Sequence, residues 1–275
     1  MRLPMSLNAP CCAMASRTCV PTSATASQMA STIAVVYPHM NAIGGDGFWV
    51  QPDALDPDLV YSESQGGNMV RINQHTNQTQ FIQPQELKGD PKYRWNWNTP
   101  LVKGKANPST LYCGAQFLFK TTDRGRSWQR ISPDLTTNDT LKQKQAASGG
   151  MTVDNTSAEN HCTIFSIAPS PLDENLIFVG TDDGNIQVTQ DGGKNWELVS
   201  KNIPGVPAGA WVSRVEPSHF DKKTAYATFD NHAYGDMRTY AAKSTDLGKT
   251  WQCFSSPEFK GFAHKIKEDI INKNL

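Results

Sequence analysis

The sequence predicts an all-β fold, a β-propeller of which about four four-stranded blades are present, and three observations carry this prediction. An octapeptide recurs three times, a second pattern recurs four times upstream of it, and the copies keep a roughly constant spacing. The octapeptides are Thr121-Thr122-Asp123-Arg124-Gly125-Arg126-Ser127-Trp128, Thr189-Gln190-Asp191-Gly192-Gly193-Lys194-Asn195-Trp196 and Ser244-Thr245-Asp246-Leu247-Gly248-Lys249-Thr250-Trp251. Ser or Thr, Asp, Gly and Trp keep fixed offsets in all three. The second pattern is an Asp or Asn with an apolar residue and an aromatic four and five positions on: Asp56 to Val60-Tyr61, Asn107 to Leu111-Tyr112, Asp173 to Ile177-Phe178 and Asp221 to Ala225-Tyr226. These aromatics recur at about 50 to 65 residues, in or just above the range of propeller-blade repeats.

Each unit reads as four short strands separated by Pro-, Asp- and Gly-rich turns. In the third unit they are Cys162–Ala168, Leu176–Gly180, Asn185–Thr189 and Asn195–Val199, here termed strands A to D. No window has a convincing helical period. The blades are expected over 43–83, 94–132, 161–203 and 210–256, with the start of a further blade over 261–275. The longer interval between the second and third units is a polar insert, Pro133 to Asn160, with the composition of an exposed loop. Residues 1–42 carry no sustained period and are expected to be a disordered or atypical N-terminal segment. Residues 262–275 echo the third unit up to its strand B, so the chain is expected to be part of a longer propeller. The alternative is a C-terminal helix over Lys265 to Asn272.

Each octapeptide is expected to form the C-to-D turn. Asp123, Asp191 and Asp246 accept hydrogen bonds from the turn's own N–H groups, Gly125, Gly193 and Gly248 supply a positive φ, and Trp128, Trp196 and Trp251 bury their rings against the hairpin. The aspartates are therefore read as structural, not catalytic.

The composition narrows the function. Lys plus Arg and Asp plus Glu are 26 each, a net charge of zero, so there is no basic field for nucleic acid. Apolar runs such as Ile33 to Tyr37 fall far short of a membrane span. Three of the six cysteines (Cys113, Cys162, Cys253) sit in apolar segments, as buried thiols do. There is no Cys-x-x-Cys, and no cofactor or metal is expected. Arg2 has no apolar run behind it, so a clear signal peptide is missing.

The octapeptides resemble the Asp-box of BNR-repeat proteins, which include sialidases, xyloglucan-active glycoside hydrolases and the sortilin-type propeller. Gly44-Gly45-Asp46-Gly47-Phe48, Arg94-Trp95-Asn96-Trp97-Asn98, Gly180-Thr181-Asp182-Asp183-Gly184 and Trp211-Val212-Ser213-Arg214-Val215-Glu216-Pro217 are most similar to bacterial proteins of the sortilin-like or glycosyl-hydrolase-like kind. The resemblance covers residues 43 to 275. It implies a propeller that presents a face to a peptide or glycan and a secreted or periplasmic location. Sialidases carry Phe-Arg-Ile-Pro where this chain has Val70-Arg71-Ile72-Asn73, so a sialidase is disfavoured.

In a propeller strand A lines the central channel, and the D-to-A and B-to-C connections share the face opposite the octapeptides. Ligand candidates on the first set are Asp46, Trp95-Asn96-Trp97-Asn98, Glu159-Asn160-His161, Trp211, Arg214 and His264. The second set supplies Glu63, Gln65, Asp182, Asp183, Asp230 and His232. Glycoside chemistry needs two carboxylates and a flat platform; Asp46 with Asp182, Asp183 or Asp230 would supply the acids and Trp95 with Trp97 the platform. The plainer readings remain beside it: acidic residues next to Gly form turns, the two indoles pack between blades on one face of a strand, and Arg214 pairs with Glu216.

Overall fold

The structure, a computed structural model, describes residues 46–144, 160–201, 203–254, 256 and 258–273. The N-terminal segment 1–42 and candidate Glu159 lie outside them. Among the described residues, four antiparallel sheets of four strands follow one another along the chain. The first contains β1 (Gly47–Pro52), β2 (Leu59–Ser64), β3 (Asn68–Asn73) and β4 (Gln78–Phe81); the second, β5 (Leu101–Lys103), β6 (Leu111–Gly114), β7 (Leu118–Thr121) and β8 (Gln129–Arg130). The third contains β9 (Ile164–Pro169), β10 (Ile177–Thr181), β11 (Ile186–Thr189) and β12 (Glu197–Leu198); the fourth, β13 (Trp211–Pro217), β14 (Ala225–Asp230), β15 (Tyr240–Ser244) and β16 (Gln252–Cys253). Every strand pairs with its sequence neighbour. Two short 3-10 turns, Gln65–Gly67 and His232–Tyr234, are the helical elements among the described residues. Lys265–Asn272 is not helical; it runs as irregular chain.

The octapeptide builds the same turn three times. In the second blade Asp123 accepts from Ser127 N at 2.9 Å, Ser127 Oγ at 2.6 Å and Thr121 Oγ1 at 2.7 Å, while Thr121 Oγ1 accepts from Gly125 N at 3.1 Å. Asp191 with Thr189 and Asn195, and Asp246 with Ser244 and Thr250, repeat the pattern. Gly125, Gly193 and Gly248 have φ of 77°, 103° and 86°, and the residue before each (Arg124, Gly192, Leu247) is left-handed too.

The tryptophans reach further than their own hairpins. Trp128 Nε1 donates to Ile82 O at 2.6 Å, Trp196 Nε1 to Ile131 O at 3.0 Å and Trp251 Nε1 to Val199 O at 2.8 Å. Each acceptor directly follows strand D of the preceding blade. The octapeptide glycine packs on the same residue: a Cβ on Gly193 would stand 2.5 Å from Ile131 O, and one on Gly248 2.7 Å from Val199 Cγ2.

The core is correspondingly divided among the three seams between blades. Tyr61, Met69, Leu101, Leu111 and Phe119 fill the first; Tyr112, Leu118, Ile164, Ile177 and Val179 the second; Phe178, Ile186, Val212, Val215 and Phe229 the third. Each fully buried aliphatic of this size contributes about 1.5–3 kcal/mol. Two residues after the repeat aromatic, Gly114 nests Ile164 of the next strand A and Gly180 nests Val212; a Cβ would meet those side chains at 2.6 and 2.5 Å. The first blade has Glu63 at this position and the fourth has Thr228.

Replacing Trp251, 8% exposed, by Phe keeps most of the ring but leaves Val199 O buried without its donor. The expected cost is about 1–3 kcal/mol, read as a lowered midpoint in urea with an unchanged slope. An unchanged midpoint would show that the indole N–H does not join the third and fourth blades.

Candidate site on the channel face

The first strand of each blade lines a concave cleft of 330 Å³, walled by Trp49 and Gln51 of β1, Val102 to Lys105 at β5, Ile167 to Pro169 of β9, and Arg214 and Glu216 of β13. The alternation of a strand puts Trp49 and Gln51, Lys103 and Lys105, and Arg214 and Glu216 on the cleft side, while Val102 and Ile167, which also border the cleft, are buried in the second seam. A register shift between Val212 and Arg214 in the β13–β14 pair keeps Val212 and Val215 in the core while Arg214 and Glu216 face the cleft.

Glu216 is 2% exposed. Its Oε2 accepts from Arg214 Nη2 at 2.9 Å and its Oε1 from Lys105 Nζ at 3.2 Å; His219 Nε2 stands 3.6 Å from Oε1. Burial pushes this carboxyl up, but Lys105 and Arg214 outweigh it and hold it below its ordinary value. It is a charged, doubly paired carboxylate, not a proton donor.

A second cluster lies at the end of β14. Asp230 sits between two histidines, its Oδ1 2.5 Å from His232 Nδ1 and its Oδ2 3.3 Å from His264 Nδ1. Burial raises its carboxyl, yet its bonds to His264 and then to His232 bring it below the ordinary value. Phe262 stacks on His232 at 4.5 Å, and Phe165 meets Trp211 edge-on at 4.6 Å. The structure thus brings Trp211, Asp230, His232 and His264 to one end of the fourth blade. Among the described residues no group of three or more His, Cys, Asp or Glu could hold a metal ion.

The other candidates are placed elsewhere. Asp182 is buried; its Oδ1 accepts from Thr163 N at 2.8 Å and its Oδ2 from Thr163 Oγ1 and Asn96 Nδ2. Four residues after the repeat aromatic, Gln65, Gln116 and Asp182 are equivalent, and all three accept from a backbone N–H ahead of their own strand A: Asp46 N at 2.7 Å, Arg94 N at 2.7 Å and Thr163 N. Two amides and one carboxylate perform the same tie, so acidity is not what the position requires. Asp183 accepts from Thr181 Oγ1 and from Thr137 N and Oγ1. Asp46 is exposed and touches Gln65 through its backbone. His161 is 2% exposed with neither ring nitrogen bonded, and burial lowers its affinity for a proton. Asn160 Nδ2 donates to Trp95 O.

Trp95 and Trp97 lie on no strand; they precede β5 in an irregular segment. Trp95 packs 5.9 Å from Phe119 and 6.1 Å from Tyr93, against the first seam. Trp95 is thereby committed to the seam. Trp97 is half-buried and its carbonyl accepts from Gly66 N. Cys113 and Cys162 are buried free thiols and Cys253 a half-buried one. The residues that sequence reading passed over are Trp49, Gln51, Lys103 and Lys105. Their signal was available, since strand A of each blade is legible and its inward residues alternate, but a three-residue strand such as β5 gives too short an alternation to read.

No family model matches the chain. Among curated proteins, 50 residues are 42% identical to an oxamate amidohydrolase proenzyme from Klebsiella pneumoniae, covering 18% of this chain and 10% of that protein. A stretch of 84 residues is 33% identical to vacuolar protein sorting/targeting protein 10 of Laccaria bicolor, covering 30% of this chain and 5% of that protein. The chain therefore matches only a tenth or less of these relatives' length. Among solved structures, an ancestral GH74 enzyme superposes with a TM-score of 0.50 at 18% identity over 80% of this chain and 25% of that one. The four sheets are blades of a β-propeller. A GH74 enzyme from Niastella koreensis gives a TM-score of 0.47 at 18% identity over 77% of this chain and 30% of that one. A protein of unknown function from Bacteroides thetaiotaomicron gives 0.47 at 12% identity over 78% and 44%.

Two buried carboxyls make this propeller's stability depend on pH. Glu63 is fully buried with neither oxygen hydrogen-bonded, and burial pushes it up to about 9 despite the nearby Thr99 and Gly67 amides. Burial and the Asp183 charge push Asp182 up to about 8, opposed by Thr163. A carboxyl whose folded-state value is raised keeps its proton only in the folded chain, so stability falls as pH rises from the unfolded value towards the folded one. Melting temperature should drop between about pH 4.5 and 8. Glu63→Gln and Asp182→Asn should each flatten that slope; an unaltered slope in both would mean that neither group is protonated in the native state.

Proposed function

We propose that this chain is a ligand-binding propeller module of the Asp-box kind, that its channel face receives a glycan, and that it does no chemistry there. One observation carries the reading: the strand-A cleft is large enough for sugar rings, has the Trp49 indole in its wall, and its carboxylate, Glu216, is paired on both oxygens. An indole face suits a sugar ring. Glycoside hydrolysis needs a protonated acid and a second carboxylate across the bond, and the charged, doubly paired Glu216 cannot by itself supply that pair. The likeness to the ancestral GH74 enzyme supports a glycan over a peptide. By its resemblance to exported bacterial proteins the chain is assigned a secreted or periplasmic location.

Isothermal titration with oligosaccharides of plant and microbial polysaccharides should detect binding without release of reducing sugar. Trp49→Leu, which removes the indole from the cleft wall, should weaken binding about tenfold or more, equivalent to about 1.4 kcal/mol, in a variant whose circular dichroism still shows the folded sheet. Binding unaffected by Trp49→Leu would move the ligand off the channel face.

A second reading, a portion of a glycoside hydrolase acting on a polysaccharide, is favoured by the Asp230 cluster. The histidines there are half exposed, so the buried Asp230 is linked to solvent through them beside Trp211 and Phe165. Reducing-sugar release by the chain, abolished in Asp230→Asn, would establish that reading in place of the first.

A further inference from the structure

The cleft carries an excess of positive charge that its own residues do not neutralise. Lys103, Lys105 and Arg214 line it together with Glu216. A fourth cation, Lys265, is outside the cleft lining but is carried past β13 by a segment fastened there through Ser213 Oγ, which donates to Ala263 O at 3.3 Å, and through His264 at Asp230; partial desolvation, then repulsion from Arg214 and Lys267, lower its proton affinity. Four cations thus share one carboxylate on a chain whose net charge is zero. Their donors are also unspent. A guanidinium offers five N–H donors and an ammonium three. Arg214 gives one to Glu216; Lys105 gives one to Glu216; Lys103 gives one to Pro52 O at 3.0 Å. Glu216 is itself held too low to take a proton, so it anchors the two cations and leaves their remaining donors to the cleft.

We propose that this cleft is an anion site, and that it takes the carboxylate of an acidic glycan, a uronate, between Lys105, Arg214 and Lys265. The inference rests on the glycan reading above and adds the charge of the ligand. A carboxylate is a planar pair of acceptors, which suits a guanidinium flanked by ammonium groups. Its negative charge relieves the repulsion between Arg214 and Lys265 that the free chain bears. Trp49 on the same wall offers the sugar ring an apolar face, which a bare inorganic anion would not use.

The test is isothermal titration of the native chain with trigalacturonate, with its methyl ester, in which the carboxylates are masked, and with short peptides bearing either a free or an amidated C-terminus. Lys105→Gln and Lys265→Glu are the variants, both at exposed positions; the glutamine amide can still donate to Glu216, so its pair with Arg214 stays, and the melting temperatures check the fold. The expected result is binding of trigalacturonate about tenfold or more tighter than its ester, a similar loss in each variant, and weakening as salt rises from about 50 to about 300 mM. Equal binding of acid and ester, unaffected by either variant, would overturn the anion site and leave the glycan reading standing. Failure of both the uronate and neutral oligosaccharides to bind, with or without capture of the free-acid peptide, would overturn the glycan reading and this inference with it.

Discussion

The fold depends on one repeated hydrogen bond, the indole N–H of each octapeptide tryptophan given to the carbonyl that ends the preceding blade. A four-stranded sheet by itself buries neither face, and each blade here has a hydrophobic seam that must be closed by a neighbour. The indole bond and the octapeptide glycine beneath it bring strand D of one blade and the C-to-D turn of the next together at one end of each seam. At the middle of the second and third seams, Gly114 and Gly180 let Ile164 and Val212 nest without a Cβ in the way. Blades set in this register turn every first strand inward, and the cleft follows from that convergence.

What is particular to this chain lies where it departs from its own repeat. Glu63 stands where two other blades have glycine, and it places an unbonded carboxyl in the first seam beside buried Cys113. Asp230 occupies the position at which Gln65, Gln116 and Asp182 tie a B-to-C turn to the start of strand A, but its carboxylate is turned to His232 and His264 instead. Through His264 and the Ser213 bond to Ala263 O, residues 261–268 are fastened alongside β13. Glu268 completes the attachment, accepting from Ser218 Oγ at 2.8 Å and from His219 N. The charge excess near Arg214 arises in part from this segment, which carries Lys265.

The octapeptides and the upstream aromatics were legible because turn chemistry is local. An Asp that accepts from the residue four places on, and a Gly at positive φ, act within one hairpin, so their spacing survives in the sequence. The third-blade strands read from the sequence fall within one or two residues of β9 to β12 for the same reason, since their turns are marked. The candidate sites were legible only as a list of polar residues near the right connections. Asp182 and Asp230 look alike in sequence, each closing a strand B ahead of a turn, yet one is sealed against Thr163 and Asn96 and the other reaches two half-exposed histidines. Trp95 and Trp97 have the spacing of a shared strand face, but that segment is irregular, and Trp95 is drawn into the seam by Tyr93 and Phe119.

By itself the sequence determined the repeat, the number of sheets, the structure of the C-to-D turns and the near absence of helix, because each of these is set by interactions a few residues long. Only the tertiary structure decided which carboxyls are buried, which are paired and which cations converge. Lys105 and Glu216 stand 111 residues apart, and their meeting is a property of how four blades curve, which no local pattern encodes. Desolvation, which separates Glu63 and Asp182 from the ordinary carboxylates of the turns, likewise belongs to the assembled seam and not to any segment of the chain.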